Sequence, residues 1–172
     1  MLTWRHNALN DAIARVLSNY YVTYAKEPRG FPMATREKLS NKKFNGPDGL
    51  LNTYQGTTVV EIHCAHSRIY YKSGENTNGI MDLVERARKR KITKYENFPT
   101  DYPGIRPVIF TVSTGGVIHP QTITEVKDNW LPEAYKNGHG LIRALRVEVM
   151  FAVAKACGQV LQGTGVRQYQ QK

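Results

Sequence analysis

The sequence predicts a single α/β domain with a mixed central sheet flanked by helices, and three observations carry that prediction. A β-branched run, Thr57-Thr58-Val59-Val60, has strand propensity. An apolar run from Pro107 to Ser113, closed by Gly115-Gly116, reads as a buried strand. Segments with apolar residues at helical spacing stand before, between and after these two runs, and that order fits helices laid against a mixed sheet. By length, the 172 residues form one domain able to bury a core without disulfides. We assign it to residues 1–163, with the Gln-rich stretch 164–172 as a flexible tail.

The elements follow in order. Leu9, Ala12, Ile13, Val16, Leu17 and Tyr20 make an opening amphipathic helix, and Tyr20 to Tyr24 reads as a strand. The polar segment from Glu27 to Pro47, with Pro28, Gly30, Pro32 and Gly46, reads as a long loop. A hairpin turning at Tyr54-Gln55-Gly56 follows. Ser73 to Gly79 is turn-rich and leads into a helix with Ile80, Leu83, Val84 and Ala87 on one face, ending before Pro99. Beyond the Pro107 strand, Val117 and Ile118 suit a short strand or turn. A polar helix with Trp130 is expected from about Gln121. A longer helix from Leu141 carries Leu145, Val149, Ala152, Val153, Ala156 and Val160.

Charge narrows the partners. The chain has 24 Lys and Arg against 14 Asp and Glu, a formal net charge of +10. Its sequence pI is about 9.7, so a polyanion is favoured, nucleic acid first and anionic membrane second. No apolar run approaches the roughly 20 residues of a spanning helix, and the N-terminal residues lack a signal-peptide core. The expectation is a soluble intracellular protein without membrane attachment, nuclear if eukaryotic. Cys64 and Cys157 lack CxxC or zinc-type spacing and read as core residues.

Asp48 and Glu61 carry the chemistry. They flank the Tyr54-Gln55-Gly56 turn symmetrically, so a tight hairpin sets their carboxylates opposite one another at roughly 5 Å. Two hard oxygen donors at that distance suit Mg²⁺ or Mn²⁺, which takes its other ligands from water and phosphate. Phosphodiester hydrolysis is the natural reaction. The plainer reading is a structural or solvated acid pair. Strand alternation puts Glu61 and His63 on one face. In the usual arrangement a Lys stands two positions after the acid, and here it is His63.

The helix from Ile80 offers a basic run, Arg86, Arg88, Lys89, Arg90, Lys91 and Lys94. Lys91 continues the Val84 and Ala87 stripe and is expected to point to the sheet, and Lys94 shares part of that stripe. Arg86, Arg88, Lys89 and Arg90 are candidate DNA-phosphate contacts, or simply a solvated basic face. At the start, Arg5 and Asn7 are candidate phosphate ligands and His6 a candidate metal ligand or acid/base group. Their plainer roles are helix capping and structural hydrogen bonding. Tyr70 and Tyr71 suit base stacking or ordinary packing.

In sequence order, Arg5-His6-Asn7, Pro47-Asp48, twelve residues, Glu61, then Lys91-Ile92-Thr93-Lys94-Tyr95 resemble the restriction-like endonuclease domain of non-LTR retrotransposons, in the PD-(D/E)xK nuclease superfamily. The strand Pro107 to Val112 with Gly115-Gly116 is similar to that family's valine-rich strand and glycine turn. The resemblance implies a restriction-endonuclease-like core, with Asp48 and Glu61 on the metal and Lys91 or Lys94 at the scissile phosphate. Arg5 and His6 would support DNA binding or cleavage. It further implies nicking of DNA at a target site, a 3′ hydroxyl that primes reverse transcription, and a fused or separate reverse transcriptase as partner. This chain departs from the family in having Glu61 where Asp is frequent, a longer insertion before the Lys-Tyr element, and His63 at the standard Lys position. Two alternatives stay open: a catalytically weak or inactive nucleic-acid-binding module of the same fold, and an RNA-directed metal-dependent nuclease.

Overall fold

The structure, a computed structural model, describes residues 2–20, 22–28, 47–53, 56–66, 79–95, 100, 103–130 and 139–169, with the side chains of 2–4, 94 and 159–169 outside that description. Most of the expected loop before Pro47, the turn at 73–78 and the Tyr70-Tyr71 pair lie outside the described residues. Described are four helices and a four-stranded mixed sheet: α1 (Leu2–Ser18), β1 (Thr23–Lys26), β2 (Gly49–Thr53), β3 (Gly56–Ala65), α2 (Ile80–Lys94), β4 (Ile105–Ser113), α3 (Pro120–Trp130) and α4 (His139–Tyr169). The sheet order is β1-β2-β3-β4. β1 and β2 are antiparallel, as are β2 and β3, whereas β3 and β4 run parallel. α2 forms the crossover.

Strand alternation sorts β3 and β4 into two faces. Val60, Ile62, Val108, Phe110 and Val112 join the main core with α1, α3 and α4. Phe110 stacks on Trp130, with ring centroids 6.2 Å apart. On the other face, Ala65 packs with Leu83, Val84 and Ala87 of α2, and Val59 and Ile109 pack with Tyr95. Glu61 and His63 belong to this second face by parity. The sheet is therefore covered by helices on both sides, as the mixed α/β reading expected.

Three boundaries differ from the sequence reading. The first strand begins at Thr23, because the amides of Asn19, Tyr20 and Val22 still donate to the last carbonyls of α1. β4 begins two residues earlier, and Pro107 fits inside it. The amides of Ile109 and Thr111, which share its parity, point off the sheet to side chains of α3, so Pro107 forfeits no ladder bond. α4 continues past Gly163 to Tyr169, where the sequence suggested a tail. Glycine weakens a helix by about 1 kcal/mol per residue but does not stop one already nucleated. Among the described residues, no helix is long and apolar enough to cross a membrane.

The far end of β4's free edge is paired by backbone, with Ser113 N–H donating to Val117 O (2.9 Å) and His119 N–H to Thr111 O (3.0 Å), and its middle is sealed by side chains. Thr122 Oγ1 donates to the Ile109 carbonyl (2.9 Å) and accepts from Thr111 N–H (3.3 Å), and Glu125 Oε2 accepts from Ile109 N–H (3.4 Å). Arg88 Nη1 donates to the same Ile109 carbonyl (2.6 Å), while its Nη2 pairs with Glu125 Oε1. An open edge would template further strands. Here α2 and α3 occupy it.

Candidate active site

Asp48 immediately precedes β2, whose first residue Gly49 pairs with Val60, so the hairpin register brings Asp48 beside Glu61. The Asp48 backbone is fixed from both sides. Its N–H donates to Val60 O and its carbonyl accepts from Glu27 N–H, both at 2.9 Å, and Asn10 Nδ2 donates to that carbonyl at 2.8 Å. Asp48 Oδ1 meets His6 Nε2 at 2.9 Å. Asp48 Oδ2 accepts the Ile62 amide at 2.6 Å.

Glu61 is 3% exposed, a position where a lone carboxylate would be costly. α2 supplies the compensation. Lys91 Nζ donates to Oε1, and Tyr95 Oη donates to Oε2 at 2.7 Å. Lys91 and Tyr95 are four apart at the end of α2, on the stripe that runs from Val84 through Ala87, so one helical face delivers both. The four carboxylate oxygens of the pair thus all meet donors from α1, β3 or α2.

Burial and neighbouring charge set the protonation states. The hydrogen bond to Asp48 raises His6 above the usual imidazole range, favouring imidazolium. Burial, reinforced by the Glu61 charge, pushes the Tyr95 phenol far up, so it remains a donor. Tyr24 is raised by burial and by Asp48, and it donates to Asn10 Oδ1 at 2.5 Å. His63 goes the other way. Burial and the Lys91 charge bring it down to about 4, so it is neutral at physiological pH. Native His63 therefore binds fewer protons than unfolded His63 between pH 6.5 and about 4, and stability falls as pH drops through that window. We expect His63→Gln to remove about 2 to 3 kcal/mol of acid destabilisation between pH 7 and 4.5. Urea unfolding at the two pH values measures it, and an unchanged slope would refute the assignment.

Gly49 is a further positioning element. A Cβ built there would lie 2.0 Å from Tyr24 Oη, displacing the ring that holds Asn10 and, through it, the Asp48 carbonyl. Gly49→Ala is expected to destabilise the fold by about 1–3 kcal/mol and to slow any Asp48-dependent reaction several-fold. Thermal melts and rate measurements test the two effects together.

Of the residues singled out from sequence, Asp48, Glu61, His6, His63 and Lys91 come together. Asn7 lies beside them, its Oδ1 3.4 Å from His6 Nδ1. Arg90 is exposed and its charge is felt at His63. Arg86 and Lys89 pair along the helix with Asp82 and Glu85. Arg5 acts on the Cys64 thiol, which packs against the main core, and its Nε is buried without a partner among the described residues. Lys94 ends α2, with its side chain outside the described residues. One expectation needs correction: Arg88 is 4% exposed and bound to Ile109, Thr122 and Glu125, so it seals the sheet edge and offers nothing to a nucleic acid. Asn10 and Tyr24 join the site with no signal in the sequence. Tyr95 enters it as the tyrosine of the Lys-Tyr element, four residues after Lys91.

Among the described residues, no three His, Cys, Asp or Glu side chains converge as a ready-made metal cage. The donor chemistry fits Mg²⁺ or Mn²⁺ nonetheless, because one or two carboxylates suffice when water and substrate phosphate supply the rest. No protein-family model matches the sequence, and no curated protein matches it.

Proposed function

We propose that the chain is a divalent-metal-dependent endonuclease that nicks DNA and leaves a 3′ hydroxyl. The observation that carries this reading is that Asp48, bonded to Val60 and Ile62 on either side of Glu61, meets Glu61 at one end of the β2–β3 hairpin, with Lys91 on Glu61. The order of motifs shared with restriction-like endonuclease domains of retrotransposons supports the same reading, including a target-site nick that primes reverse transcription by a fused or separate polymerase. It also supports a nuclease core for the fold.

Asp48 and Glu61 would hold Mg²⁺ or Mn²⁺, which when bound supplies Lewis-acid activation of water and charge neutralisation at the phosphate. Lys91 adds positive charge for the non-bridging oxygens. His6, whose proton affinity the hydrogen bond to Asp48 raises, is suited to give a proton to the departing 3′ oxygen. Arg86, Lys89 and Arg90 contact backbone phosphates without reading sequence.

A second reading is favoured by one observation: both carboxylates are already satisfied by donors of the chain itself, as in a binding module without catalysis. Supercoiled circular DNA incubated with the protein and Mn²⁺ or Mg²⁺ separates the two. Nicked circles whose ends a polymerase extends are the expected product. Salt-sensitive binding without nicking would favour the module, and preferential cleavage of single-stranded RNA would favour an RNA-directed nuclease.

A further inference from the structure

The outer side of α4 carries a second apolar stripe that stays exposed among the described residues. Val147, Met150 and Phe151 are 41%, 52% and 63% exposed, and exposed Ala154 completes the i, i+3, i+4, i+7 spacing. The inner side of the same helix already fills the core through Leu145, Val149 and Val153. A helix apolar on both sides has the pattern of one covered all round. The patch also extends past α4. Gly116 lies against it, where an added Cβ would be 3.2 Å from Met150 Cα, and beside Gly115 an added Cβ would be 3.5 Å from exposed Ile80. The diglycine turn is thus a low floor between Met150 and Ile80, continued by exposed Val117.

The flanks are basic. Arg143, Arg146 and Lys155 are exposed, and Glu148, the acid in this stretch, is paired with Arg15 at 3.1 Å. A second copy suits this surface poorly. Arg146 stands four residues before Met150 and Lys155 four after Phe151, so an antiparallel self-crossing would set Arg146 against Lys155 twice, in a chain of net charge +10. Like charges placed so destabilise pairing. A nucleic-acid duplex presents charged phosphates outward and offers a Val-Met-Phe stripe no apolar partner.

We propose that this face docks an amphipathic helix of a partner polypeptide, its apolar stripe flanked by Asp and Glu. The probe is a fluorescein-labelled synthetic helix of about 18 residues, with leucines at i, i+3, i+4 and i+7 and glutamates beside them. Fluorescence anisotropy with the full chain is expected to show saturable binding, weakened at least about tenfold by Phe151→Glu and likewise by Met150→Glu. Both positions are solvent-facing, and circular dichroism and thermal melts verify that the variants fold. The same peptide with lysines in place of glutamates is expected to bind at least about tenfold more weakly. Absent or Phe151-independent binding overturns the proposal, as does equal binding of the lysine peptide. Sedimentation with phosphatidylserine vesicles, or dimerisation in the ultracentrifuge, overturns it too if Phe151→Glu abolishes that behaviour. Cleavage plays no part in these measurements, so the nuclease reading stands or falls separately.

Discussion

Glu61→Gln and Asp48→Asn are each expected to slow nicking by at least about a hundredfold while leaving the protein folded. Both substitutions keep the side-chain shape and remove the charge that would hold a divalent cation. Loss of one such electrostatic group in a water-poor site costs rates of about 10²–10³. Stability should fall by about 1–3 kcal/mol, because each change sets an amide where an acceptor oxygen met a donor, His6 or the Ile62 amide at Asp48 and Lys91 or Tyr95 at Glu61. Tyr95→Phe supplies a contrast. It removes one hydrogen bond to Glu61 Oε2 and leaves the charge, so its effect on rate should be the smaller. Variants at 48 and 61 that nick as fast as the parent would refute a catalytic role for the pair.

Arg88→Met is expected to have the largest effect on stability, a loss of about 3–5 kcal/mol. Removing one partner of a buried ion pair leaves the other charge uncompensated, and losses of that size are typical. Here the remaining group is Glu125, whose carboxyl is already pushed up by burial and pulled back by Arg88. The Ile109 carbonyl also loses one of its two donors, since Thr122 Oγ1 remains. In a chain of this size such a loss lowers the thermal midpoint by about 10 °C. A change below about 1 kcal/mol in urea unfolding would show that α3 alone seals the edge of β4.

The contrast between Lys91 and Arg88 shows where sequence reasoning succeeds. Lys91 extends the stripe of Val84 and Ala87, and helical periodicity is local, so its direction toward the sheet could be read directly. Arg88 follows Val84 by four residues and lies on the same stripe, yet it sits inside a basic run whose other members Lys89 and Arg90 are exposed, and composition alone does not set it apart. The Asp48–Glu61 register was legible because a short turn fixes hairpin pairing. Asn10 and Tyr24 were not, because their bonds to Asp48 and to each other join segments far apart in sequence, and tertiary packing alone sets them. The outer stripe of α4 is masked in the sequence by the inner one, which by itself accounts for a core helix.

Calorimetric titration of Mn²⁺ into the protein tests most directly whether Asp48 and Glu61 act together on one cation. The account predicts binding of about one Mn²⁺ per chain, weakened at least about tenfold by Asp48→Asn and equally by Glu61→Gln. Heats that are the same for the parent and both variants would contradict it.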